Sequence, residues 1–309
     1  MLSVFQIILP VFAIILLGYG ARRTGRISPD GVRGINDFVF LLALPALLFE
    51  GAATNVSSAA TLGVAVAYFA AILPAYAVAL LLARRLRRLR LADAGLFALD
   101  ATYSNLAMVG IPIILAAYGP DGLRSLLTIL AFHSLIMLPV ATLVAEMGVT
   151  ERVRPWPILR STTLAMVTNP IILAVVAGTI WAQLLPPPPE FLTRLLHMLG
   201  AAGPPAALFC LGASLTGFDV RRDWPDALLG TVLKLLALPV AVWLSARFFG
   251  LDALGTAVAV TAAGMPTGAN AFILARRYAT GMGRSGATML LASGLSVLTV
   301  SGLLLIFQR

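Results

Sequence analysis

Two stretches gather small polar residues between prolines and glycines: Tyr103-Ser104-Asn105-Leu106-Ala107-Met108-Val109-Gly110-Ile111-Pro112 and Gly264-Met265-Pro266-Thr267-Gly268-Ala269-Asn270. A proline inside a helix removes one N–H and frees the carbonyl one turn earlier. Each stretch therefore predicts a helix interrupted near its middle, with backbone groups open to a solute. Asn105 and Asn270 can satisfy those freed groups, bind the solute, or do both. Either stretch alone reads equally well as a simple kink; their matching placement favours a binding site. Three ionisable side chains lie in apolar surroundings: Asp100, His133 and the sole lysine, Lys234. A Lys234–Asp100 pair would act as a structural lock or a coupling switch. The plainer alternative has Lys234 snorkelling to the interface and Asp100 capping solvated backbone. His133 either titrates and couples transport to protons or bridges helices by a hydrogen bond.

The elements that hold these residues follow from composition. Of 309 residues, 60% are apolar and only 11% charged, against about 25% charged in a soluble domain. Apolar runs long enough to cross a bilayer recur at about 3–21, 34–53, 60–83, 94–118, 123–147, 162–184, 191–217, 227–249, 253–279 and 285–307. The chain reads as an all-α membrane protein of ten spans. With alternating loops, 17 arginines fall on one side and four on the other. The rich side is then cytoplasmic and both termini are periplasmic. The first run is followed, not preceded, by basic residues, so it reads as a retained helix rather than a signal peptide. The run of arginines at 84–90 anchors topology beside anionic lipid, and no nucleic-acid role is called for.

Sliding the chain against itself at an offset of 160 residues aligns Pro10 with Pro170, Gly18 with Gly178, Pro45 with Pro205 and Leu48-Phe49 with Leu208-Phe209. The halves are 1–150 and 161–309. Each holds five spans, an odd number, so the second enters the membrane inverted, an architecture of secondary transporters. The two interrupted helices are the fourth span of each half. The single Cys210 cannot close a disulfide within the chain, and no phosphate-cradling loop, zinc-ligand spacing or Gly-x-Ser-x-Gly motif is present. An intramembrane enzyme would need clustered acids, histidines or nucleophiles at one depth, and the sequence offers none.

Pro10-Val11-Phe12, Leu17-Gly18-Tyr19, Leu44-Pro45-Ala46-Leu47-Leu48-Phe49, Asn105 with Gly110-Ile111-Pro112, and Met265-Pro266-Thr267-Gly268-Ala269-Asn270-Ala271-Phe272 together resemble the auxin efflux carrier family. The likeness spans essentially the whole chain. It implies a fold similar to bile acid:sodium symporters, with spans 1, 2, 6 and 7 as a scaffold domain and spans 3–5 and 8–10 as a transport domain. Spans 4 and 9 would cross at their broken centres, with Asn105, Gly110, Pro112, Pro266, Thr267, Gly268 and Asn270 forming the crossover. The implied function is a secondary permease moving a small organic anion such as a carboxylate by elevator-type alternating access in the bacterial inner membrane. A sodium-coupled symporter of bile-acid type is the alternative. Neither a metal nor a cofactor is expected; H+ or Na+ coupling and homodimerisation are left open. Physics makes a carboxylate plausible, because half-helix N-termini present N–H groups and positive dipole ends.

Overall fold

The computed structural model describes residues 2–53, 59–149, 167–217 and 223–307, together with Trp156, Arg160 and Leu164. The expected boundary between the halves, Arg152, Arg154, Arg221, Arg222 and the C-terminal Arg309 lie outside the described residues. The described chain is helical: α1 (Leu2–Arg23), α2 (Pro29–Ala53), α3 (Ala59–Arg85), α4 (Leu91–Thr102), α5 (Leu106–Val149), α6 (Pro170–Leu184), α7 (Glu190–Gly217), α8 (Trp224–Phe248), α9 (Ala253–Ala263), α10 (Ala269–Arg277) and α11 (Met282–Phe307). Six of these, α2, α3, α5, α7, α8 and α11, are long and apolar enough to cross a membrane, and α6 and α9 are shorter apolar helices.

Proline and glycine explain the irregularities. Straight, the 44 residues of α5 would extend about 66 Å at 1.5 Å per residue, twice a bilayer core. Gly119, at φ 65° and ψ −163°, turns the chain back on itself at the position where a side chain would be strained. One-turn π-helices occupy Val39–Ala43 in α2, Leu106–Gly110 in α5 and Leu233–Ala237 in α8. Each is followed by one residue and then a proline: Leu44-Pro45, Ile111-Pro112 and Leu238-Pro239. In all three the N–H before the proline reaches back five residues, to the carbonyl of Val39, Leu106 or Leu233. The wide turn gives the proline ring room and keeps the backbone paired.

The helices sort into two groups by packing. In the first, α1 packs on α7, and α2 packs on both α6 and α7. In the second, α3 packs on α4, α5 and α8, while α9 lies against α5, α8 and α11. The first group is joined by glycines against backbone. A Cβ on Gly18 would collide with the carbonyl of Phe209, and one on Gly178 with the carbonyl of Phe49. Under the 160-residue offset Gly18 becomes Gly178 and Phe49 becomes Phe209. The α1–α7 contact is thus the image of the α6–α2 contact.

Candidate functional site

Helix α4 ends at Thr102 and the chain runs extended through Tyr103–Asn105 before α5; α9 ends at Ala263 and residues 264–268 lead into α10. The two interruptions meet. Ser104 and Thr267 form an antiparallel bridge. The Asn105 N–H donates to the Pro266 carbonyl at 2.8 Å, and the Gly268 N–H to the Tyr103 carbonyl at 3.0 Å. Thr267 Oγ1 donates to the Asp100 carbonyl at 2.8 Å. A Cβ at Gly268 would press on the Tyr103 ring at 2.8 Å, so the close approach requires glycine. Some of the backbone groups released by breaking each helix are therefore taken up by the other break.

Beside this crossing lies a cavity of about 200 Å³, smaller than the ~300–1,000 Å³ of pockets for drug-sized ligands. The breaks supply Tyr103–Met108 and Gly268–Asn270, α5 supplies His133 and Ser134, and the far wall is Phe40 of α2 with Asn169, Ile172 and Val175 at α6. It lies between the two groups of helices. Three helix N-termini border it, at Asn105, Gly268 and Asn169. Asn105 caps its own turn by accepting the Met108 N–H, Asn169 caps α6 by accepting from Ile171, and Gly268 supplies no side-chain cap. No acidic side chain lines the cavity among the described residues.

Side chains around the crossing form a continuous network. Asn270 Nδ2 donates to the Tyr103 hydroxyl at 2.8 Å, and that hydroxyl lies 2.6 Å from Ser134 Oγ. The Ser104 N–H donates to His133 Nε2 at 3.1 Å, with the Tyr103 ring stacked on the imidazole. An accepting Nε2 leaves the ring proton on Nδ1. His133 Nδ1 and Asn105 Nδ2 are buried and have no partner. Two residues of the cavity wall thus hold hydrogen-bond donors in reserve.

Of the residues expected from the sequence, Asn105, Gly268 and Asn270 line the cavity together with His133. Pro266 and Thr267 build the crossing behind it, and Gly110 and Pro112 lie one turn away in and after the π-turn. Lys234 and Asp100 do not behave as the plain reading had them. Both are fully buried, so Lys234 does not snorkel and Asp100 does not cap solvated backbone. Nor do they pair. Lys234 Nζ donates to Ser104 Oγ at 2.9 Å and to the Ala263 carbonyl at 2.5 Å. Asp100 accepts from Ser285 Oγ at 2.5 Å and lies 3.6 Å from Arg284 Nε. Arg284, expected in a cytoplasmic loop, is 4% exposed, and its guanidinium also binds the Asp93 carboxylate at 2.7 Å and the Asp93 carbonyl at 3.1 Å.

Tyr68, Ser134, Asn169, Arg284 and Ser285 were not singled out by sequence. Asn169-Pro170 carried a signal, a capping residue followed by proline at the first helical position, in the middle of an apolar run. The others become visible only when distant helices are brought together.

A family model described as membrane transport protein matches residues 3–304. The resemblance to auxin efflux carriers read from the sequence is borne out by that match. A Rhizobium meliloti protein named "Putative malonate transporter" is 28% identical over 319 residues, covering 100% of this chain and 97% of its own length. A Methanocaldococcus jannaschii protein named as an uncharacterized transporter is 22% identical, covering 97% and 96%. The Mus musculus lysosomal cholesterol signaling protein is 28% identical over 76% of the chain, which spans 29% of that longer protein.

Proposed function

The chain belongs to the membrane transport protein family, an integral membrane transporter of a small molecule, and from that premise we propose that it is a secondary carrier of a small organic anion of malonate's chemical class. The observation that carries this reading is the cavity at the crossing, mostly apolar with Asn105, His133, Ser134, Asn169 and Asn270 among its lining residues. Its wall includes Asn105 and His133, each with a buried donor atom that has no partner, borders three helix N-termini, and among the described residues carries no carboxylate. A carboxylate is acceptor-only and complements such a wall. The malonate in the name of the Rhizobium meliloti relative is consistent with that choice.

Alternating access is the mechanism that the cavity's position supports. Its walls come from both helix groups, so sliding one group against the other exposes it to one side and then the other. We assign α1, α2, α6 and α7 to the scaffold and the remaining helices to an elevator-type transport domain. Ten spans in two inverted halves are supported by the matched contacts at Gly18 and Gly178, and an inner-membrane carrier with both termini periplasmic is in keeping with the arginine distribution. Uptake of labelled malonate into proteoliposomes tests the reading. Asn105→Ala and Asn270→Ala should each lower uptake by about ten-fold or more, since each removes an amide side chain from the cavity wall. Their monodispersity and melting temperature should stay near wild type. Unchanged uptake in both variants would take the crossing out of the transport site.

A further inference from the structure

Lys234 lies in the π-turn of α8 with no exposed surface, and both of its hydrogen-bond partners are neutral. The acid at comparable depth, Asp100, is taken by Ser285 and Arg284. One partner is the carbonyl of Ala263, the last residue of α9, where a helix presents unpaired carbonyls and its negative dipole end. The other is the hydroxyl of Ser104 in the opposite break, with the Tyr68 hydroxyl 3.2 Å beyond it. Carbonyls at the C-terminal ends of broken half-helices are where carriers of this design coordinate a coupling cation. Carbonyl and hydroxyl oxygens are the ligands a hard cation takes.

We propose that Lys234 is a tethered substitute for a coupling cation, its ammonium permanently occupying the cation position at the crossing. The inference rests on the proposed anion carrier. Ser104 both binds the ammonium and lines the cavity, so the positive charge stands one side chain behind the wall that meets the solute. A buried ammonium without a carboxylate partner is costly; the countercharge arrives with the anion. Such a carrier needs no sodium, which separates it from a sodium-coupled symporter of similar architecture.

The test compares malonate-induced thermal stabilisation and malonate uptake of the full-length protein in sodium chloride and in choline chloride. Wild type should respond equally in both salts. Lys234→Met, which fills the space without charge, should lose the response in both by about ten-fold or more. Lys234→Ala, which opens the space, should lose it in choline and regain it with sodium. A wild-type response that requires sodium, or a Lys234→Met response equal to wild type, overturns the inference. If neither variant folds, the wild-type salt comparison decides alone. If wild type answers no carboxylate in either salt, the anion-carrier reading fails separately. The inference then stands or falls on whether sodium raises the melting temperature of Lys234→Ala but not of wild type.

Discussion

The two groups of helices are built by opposite means. In α1, α2, α6 and α7 the contacts are glycine against backbone: Gly18 on Phe209, Gly178 on Phe49, Gly212 on Ile15 and Gly200 on Leu47. Among the described residues, every buried polar or charged side chain belongs to the other group, on α4, α5, α8, α9 and α11 or in the two breaks. Lipid offers helices no hydrophobic reward for associating, so close van der Waals approach through small residues suffices for continuous helices. Interrupted helices cannot be held that way. Their freed backbone groups need partners inside the protein, and Thr267, Lys234, His133 and Asn105 supply side-chain ones beside the backbone bonds of the bridge. In this molecule, buried polarity marks the group of helices that contains the two breaks.

The contrast predicts different failures when each group is disturbed. The largest effect is expected in the glycine-packed group. Gly212→Val places a side chain against the Ile15 carbonyl and should destabilise by more than about 4 kcal/mol, removing the monodisperse peak in size-exclusion chromatography. Gly294→Val, on α11 where nothing lies within 4 Å, should leave it intact. Equal yields would show that close approach does not hold the first group together.

In the polar group, Arg284→Met leaves Asp100 and Asp93 without their shared cation. It should destabilise by about 3–5 kcal/mol, read as a fall in melting temperature, and adding Asp100→Asn should recover part of the loss. No recovery would mean that Arg284 contributes packing over the Phe97 ring rather than charge compensation. The smallest effect belongs to an exposed pair in the first group. Glu190→Gln breaks the contact with Arg194 one turn along α7 and should change stability by under about 0.5 kcal/mol.

Much of this contrast was legible in the sequence. Small polar residues near proline and glycine marked the two stretches in which the breaks fall, although the first opens at Tyr103–Asn105, ahead of Gly110 and Pro112, which lie in and after a π-turn that keeps its backbone paired. Side-chain partnership was less legible. Lys234 and Asp100 lie at similar depth in their expected spans, which suggested a pair; yet Asp100 is on α4 and Ser104 four residues on, in the break, and it is Ser104 that meets the lysine. Arg284 lies near Arg276 and Arg277, whose setting reads as a loop. Its partner Asp93 is 191 residues away, and nothing local to either residue announces the pair. Hydropathy reports the depth of a segment, whereas a network across helices depends on which faces turn toward one another.

The bridge between Ser104 and Thr267 has a mechanical corollary. Because each gap in the helical rods is stitched by the other, the seam brings its own amide partners wherever it goes. Were the crossing displaced as one body, the main-chain bonds between its two breaks would go with it rather than be exchanged for bonds to lipid or water.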